Sequence, residues 1–251
     1  SAISSSRKTI SFSSGVPIKV IGERINPTGK KNLRDELLKP IFKELRKLAV
    51  QQEMKGADLL DINVGAPGCD EKTVLPTAVT EATCVSGLPL CIDSSDPEAI
   101  EKALRVYPGR ALINSISFEK AKIARLLPAA AKYGAMFILL PLGDGKLPEK
   151  SKDRISYIKQ ITSSAQKLGF SKNDILVDGL VMTVSSNPKA PEETLKTIRW
   201  ARENGYMTVI GLSNISFGLP GREKINASFL SMAAAGGLTA TIANPENDEI
   251  M

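Results

Sequence analysis

The chain has 251 residues, 42% of them hydrophobic and 24% charged, enough for one large globular core. Its net charge is +6, but basic and acidic residues are interleaved and aromatics make up only 5%, so stacking platforms are scarce and no nucleic-acid partner is expected. It contains no histidine, which excludes Ser-His-Asp triads, Cys-His pairs and imidazole metal sites; proton handling falls to carboxylates, amides, lysines or water.

Taken in chain order, the start SAISSSRKTISFSSG is polar and lacks the apolar core of a secretory signal. No apolar run approaches the roughly 18 residues of a membrane helix, so a cytoplasmic protein with no membrane contact is expected. Within an extension over residues 1–17, the stretch from Arg7 to Lys19 reads as a small hairpin with Ser14-Gly15 at its turn. The domain proper, residues 18–251, then alternates two kinds of segment. Strand patterns fall at Ile18–Gly22, Leu59–Val64, Leu88–Asp93, Ala111–Asn114, Met136–Leu140, Ile175–Asp178, Thr208–Leu212 and Thr239–Ala243. They are rich in Ile, Leu and Val without clean alternation, as parallel strands covered by helices should be. Helical patterns between them run Asp35–Lys55, Lys72–Ser86, Pro97–Val106, Glu119–Tyr133, Ser151–Leu168, Pro191–Asn204 and Glu223–Ala235. Ser95-Asp96 before Pro97 is a start signal, and Gly134, Gly169 and Gly205 are stop signals. Cys69, Cys84 and Cys91 have no CxxC spacing and read as small, buried or half-buried residues.

This order predicts an α/β fold: a (β/α)8 TIM barrel lacking most of its final helix, with a short N-terminal hairpin-like extension. A missing outer helix should leave apolar surface exposed on the first and eighth strands, as in a module cut from a longer protein, unless another segment covers them.

In such a barrel the reactive side chains stand at the C-terminal ends of the strands. Those positions hold Glu23 and Asn26, then Asp61 and Asn63, Asp93, Asn114, Asp178, Gly211 with Ser213 and Asn214, and finally Asn244. Asp and Asn there also serve as helix caps and turn residues, but that reading weakens when seven strands share the pattern. Asp61 and Asn63 have one parity, so both are expected to point inward. Carboxylates suit hard cations, so a metal is one reading. The mixture of Asn with Asp better suits a flat heterocycle, because a 2-amino-4-oxo-pyrimidine edge offers paired N–H donors to a carboxylate.

The segments IGERINPTGKK (21–31), LLDINVG (59–65), LCIDSSD (90–96), ALINSIS (111–117), GLSNISFGLPGR (211–222), INASFL (225–230) and IANP (242–245) together resemble the pterin-binding barrel family. Within it they are most like the methyltetrahydrofolate:corrinoid methyltransferase branch, which includes the folate-binding module of cobalamin-dependent methionine synthase. The resemblance runs from about Ile18 to Pro245. It implies that Asp93, Asn114 and Asp178 hydrogen-bond the pterin ring and that Asn214 stands beside its N5, with Gly211 and Ser213 shaping that loop. Glu23 and Asn26 would line the pocket, and Arg222 would meet the benzoyl-glutamate end, where its fork suits a carboxylate. The implied substrate is 5-methyltetrahydrofolate, and the implied activity is transfer of its N5 methyl to cob(I)alamin or the reverse, in the setting of methionine synthesis. Asn214 and Asp93 would be catalytic, with Asp93 supplying negative potential to a cationic N5. The chain has neither the DxHxxG histidine of corrinoid carriers nor a zinc-binding cysteine cluster, so cobalamin and the final acceptor must come from another domain or protein. A homodimer is among the assemblies the resemblance allows. Two alternatives stand beside it: a dihydropteroate synthase, whose strand-seven lysine is here replaced by asparagine, and a non-catalytic folate-binding module.

Overall fold

The chain, seen in a computed structural model that describes residues 1–13, 15–143, 145 and 147–251, begins with an antiparallel pair, β1 (Ala2–Ser4) and β2 (Thr9–Ser11). The expected hairpin therefore exists but sits earlier than its predicted span. Its turn is made by residues 5–8, where the Ser5 hydroxyl accepts from the amides of Arg7 and Lys8 at 3.0 and 2.9 Å. Ser14, half of the predicted turn, lies outside the described residues.

Eight parallel strands then close on themselves: β3 (Lys19–Ile25), β4 (Leu59–Asn63), β5 (Leu90–Asp93), β6 (Leu112–Phe118), β7 (Met136–Gly143), β8 (Ile175–Asp178), β9 (Met207–Gly211) and β10 (Ala240–Ala243). Ala240–Ala243 pair residue for residue with Lys19–Gly22 to seal the barrel. The helices are α1 (Lys31–Leu37), α2 (Lys43–Met54), α3 (Glu71–Val85), α4 (Pro97–Val106), α5 (Lys120–Tyr133), α6 (Ser151–Gln166), α7 (Ala190–Glu203) and α8 (Arg222–Gly236). Asp96 caps α4 by accepting from the Glu98 amide at 2.9 Å, with Pro97 in the first turn, as its sequence suggests.

The single helix expected over Asp35–Lys55 is two helices. Pro40 has no N–H to donate and disfavours a helical conformation at Lys39, so the chain breaks over residues 38–42 and restarts at Lys43. The fourth barrel strand outruns its prediction, continuing to Phe118 past a register shift between Ile113 and Ile116.

Outward-facing residues such as Leu60, Ile62, Leu90, Ile92 and Ile113 pack against the helices in the main core. Inward-facing residues Ile21, Leu59, Cys91, Leu112, Met136, Leu176, Met207 and Ala240 fill the lower barrel, and Ile3, Ile10 and Phe12 of the hairpin segment close it from below. Among the described residues no helix follows β10; residues 244–251 form turns. The apolar exposure expected at that seam does not occur. Val20, Thr241 and Ala243 are buried. Apart from Val20, the outward positions there, Gly22, Thr241 and Ala243, are small or polar. Gln52 of α2 occupies the space a side chain at Gly22 would need, and its Oε1 accepts the Arg24 amide at 2.9 Å. Ile250 folds back onto the apolar cluster around β10 and α8, and Asp248 stands 3.7 Å from Lys55.

Candidate active site

Two residues above the apolar layer, the same strands change chemistry. The inward side chains become Glu23 on β3, Asp61 on β4, Asp93 on β5, Asn114 on β6, Asp178 on β8, Gly211 on β9 and Ile242 on β10, and they line a cavity of about 730 Å³. Ser213, Asn214, Arg222, Asn226 and Asn244 join them from the loops and α8, and Asn26, Thr28, Lys30 and Phe217 form part of the mouth.

The floor is a web of acids held by amides. Asn63 donates from Nδ2 to Asp93 Oδ2 at 2.8 Å, and Asn114 donates to Asp61 Oδ1 at 3.2 Å. Asp178 Oδ1 accepts the Leu180 amide at 2.8 Å. At the opposite wall, Ser213 donates to Glu23 Oε1 at 2.7 Å, and Arg222 holds the Ser213 carbonyl at 2.8 Å and the Ser216 hydroxyl at 3.1 Å. Desolvation dominates the electrostatics, because charged forms lose water in the barrel mouth. Burial raises the carboxyls of Asp93 and Asp178 to about 6. Asp61 is pushed well above the usual carboxylate range by burial and by neighbouring Asp93. Burial also raises Glu23, and it lowers Lys30, whose ammonium is further disfavoured by Arg24. Asn226 is buried, and its Oδ1 has no hydrogen-bond partner among the described residues. The floor of the cup, where Asp61, Asp93 and Asp178 stand, is thus acceptor-rich, while the cationic donors Arg24, Lys30 and Arg222 also line the cavity.

Eleven of the twelve residues read from the sequence line this one cavity: Glu23, Asn26, Asp61, Asp93, Asn114, Asp178, Gly211, Ser213, Asn214, Arg222 and Asn244. Asn63 points inward as expected but stands behind the cavity, bracing Asp93 and accepting the Gly65 amide at 2.8 Å. Asn214 is exposed, and its carboxamide makes no hydrogen bond to the other described residues. Gly211 leaves it room, since a Cβ there would come within 3.2 Å of Asn214 Nδ2. Lys30, Phe217 and Asn226 were missed. All three lie inside the quoted motifs, but a search for polar strand ends passes over an aromatic, a loop lysine and a helical asparagine. Among the described residues no group of three or more acidic or thiol side chains is disposed to hold a metal ion, and no helix is long and apolar enough to cross a membrane.

The sequence pattern of the family described as pterin binding enzyme matches residues 22–244, from the first barrel strand to the last. The chain belongs to the pterin-binding enzyme family. Among similar proteins, the methylcorrinoid:tetrahydrofolate methyltransferase of Eubacterium limosum is 29% identical over 92% of this chain and 87% of its own length. The methionine synthase of Mycobacterium tuberculosis is 26% identical over 96% of this chain, which spans only 21% of that protein. Dihydropteroate synthases share the fold. That of Thermus thermophilus superposes with a TM-score of 0.72 at 16% identity, covering all of this chain and 95% of the other. That of Xanthomonas albilineans, solved with 7,8-dihydropteroate, gives 0.70 at 17% identity over 96% of this chain and 91% of its own. At such identities the likeness to the synthases is one of fold alone.

Proposed function

We propose that this pterin-binding enzyme is a methyltransferase that moves the N5 methyl of 5-methyltetrahydrofolate to or from a corrinoid carried on another domain or protein. The observation that carries the reading is Asn214. At the end of β9, where a dihydropteroate synthase is expected to place a lysine, this chain offers an unengaged carboxamide over an acid-lined cup. The name of the Eubacterium relative, a methylcorrinoid:tetrahydrofolate methyltransferase, supports the reading, as does the likeness to a methionine synthase.

The carboxyls on the floor of the cup suit the N–H edge of a reduced pterin. Asp61, Asp93 and Asp178 are desolvated carboxyls without a cation at hydrogen-bond distance among the described residues, and Asn226 has an orphaned acceptor. The ring's amino and N–H groups would supply the missing donors, at about 1.5–3 kcal/mol for each bond to a charged group. Arg222 faces the tail carboxylates. When the N5–methyl bond breaks, its electron pair stays on nitrogen, so the barrier falls if N5 carries a proton or a strong hydrogen bond. Asn214 can accept from an N5–H and, after rotating, donate to a neutral N5; it needs no shifted pKa to do either. Asp93 and Glu23 give the cup a negative potential that favours a cationic N5. The corrinoid supplies the low-valent cobalt centre that exchanges the methyl. With no histidine, the chain has no imidazole to offer cobalt, and none of its residues need act as nucleophile.

The test is to mix the chain with 5-methyltetrahydrofolate and free cob(I)alamin and follow the methylcobalamin spectrum. Methylcobalamin should form, and Asn214→Ala should slow its formation far more than it weakens folate binding. Folate binding without any methylcobalamin would leave only a folate-presenting module. Equal losses of rate and affinity would reduce Asn214 to a binding group.

A further inference from the structure

Arg154 is the largest of the fully buried side chains. Among the described residues its guanidinium has no carboxylate within ion-pair distance. It donates instead to the Pro148 carbonyl at 3.0 Å, the Gly179 carbonyl at 2.8 Å and the Thr194 hydroxyl at 3.3 Å, and lies 3.6 Å from the Met182 sulfur. Thr194 in turn donates to the Leu180 carbonyl at 3.0 Å. One cation on α6 therefore ties the loop after β7, the loop after β8 and the body of α7 together.

That second loop carries Asp178 into the cup. It turns sharply: Leu180 has φ +54°, a left-handed conformation that costs a branched side chain energy, and its amide closes back on Asp178 Oδ1 at 2.8 Å. Gly179 is hemmed in, since a Cβ there would meet Ile198 and Ile210 at 3.1 Å and Thr194 at 3.2 Å. A corner this constrained holds its shape only if surrounding bonds over-determine it. Stability by itself gives no reason for an arginine at this point, because a well-packed apolar side chain of similar volume is often as stable as a buried charge or more so. The charge has a use one residue away from the bonded Gly179 carbonyl, where its field opposes the desolvation of the Asp178 carboxyl.

We infer that Arg154 is a positioning residue for the pterin. It locks the 178–182 corner so that Asp178 presents an ionised carboxylate to the ring, without itself touching substrate. The inference rests on the proposed folate reading, and the experiment separates the two. Wild type, Arg154→Met, Arg154→Lys, Asp178→Asn and the Arg154→Met/Asp178→Asn double variant of the full chain are titrated with 5-methyltetrahydrofolate and assayed for methyl transfer. Arg154→Met should fold, weaken folate binding about tenfold or more, and raise KM while leaving kcat within about threefold, as loss of uniform binding does. Arg154→Lys should recover part of the affinity. In the Asp178→Asn background, adding Arg154→Met should cost less than about twofold, because the path through the carboxylate is already cut. Should Arg154→Met fail to fold, Thr194→Val takes its place, with the same non-additivity expected. Wild-type affinity in Arg154→Met, or an undiminished loss in the Asp178→Asn background, overturns the inference. A wild type that binds no reduced folate overturns the folate reading instead.

Discussion

The lower and upper halves of the barrel lumen are built from the same strands, two residues apart. Ile21 and Glu23, Leu59 and Asp61, Cys91 and Asp93, Leu112 and Asn114, and Leu176 and Asp178 are successive inward positions. Below, apolar side chains interdigitate and the hairpin residues Ile3, Ile10 and Phe12 complete the seal. Above, acids and amides converge on a cavity, and burial holds several carboxyls away from their preferred ionisation. One half of a rigid scaffold supplies stability, and the other spends some of it on a cup with an acceptor-rich floor. The period-two geometry of a strand makes the division sharp, because a shift of one pleat repeat moves a side chain from packed core to binding wall.

Substitutions in the two halves should therefore fail differently. The largest effect is expected below. Phe12→Ala removes a side chain that is 2% exposed from the plug and should cost about 3–5 kcal/mol of stability in a denaturant titration. The remaining folded protein should bind folate as before; a folate defect at full stability would break the division between halves. Next comes Asn214→Ala above, which should slow methyl transfer roughly 100-fold or more, as loss of one preorganised transition-state group does, with melting temperature unchanged. Asp178→Asn should weaken folate by about 10- to 100-fold through loss of a charge-assisted bond, yet stabilise the protein at pH 8, raising Tm by roughly 2–4 °C per kcal/mol recovered.

The smallest and most discriminating effect is that of pH. Asp93 and Asp178 have carboxyls raised to about 6, above the ordinary carboxylate value, so folding favours their protonated forms. Their stabilising contribution is complete below pH 4 and is lost as pH rises through about 6. Folate affinity should run the other way, falling as pH drops below about 6 and the acceptors take up protons. Affinity and stability moving together across this range would mean that the acids do not hold the ligand in ionised form.

Much of this division was legible in the sequence. Ile-, Leu- and Val-rich runs ending in Asp, Asn or Gly marked the strands and their reactive ends, and the parity of Asp61 and Asn63 predicted that both face inward. What escaped was set by tertiary packing. Nothing local distinguishes Asn63 as a brace for Asp93 from a wall of the cavity, because that depends on the register that pairs Asn63 with Asp93 across β4 and β5. The break at Pro40 was masked by the strong helical pattern on either side. The seam beside β10 closed because Gly22, Thr241 and Ala243 are small or polar, a fact visible only once the outward parity of both strands is known. Arg154 carries no local signal that sets it apart from the other charges of its helix, although it is fully buried.

Isothermal calorimetry of the wild-type chain with 5-methyltetrahydrofolate at pH 7.5 or above tests the central claim most directly, with Asp178→Asn as its partner measurement. A single saturable site that is weakened in the variant is the result expected. Absence of any binding heat, or binding untouched by the change at Asp178, would contradict the assignment of the acid-lined cup to a reduced pterin.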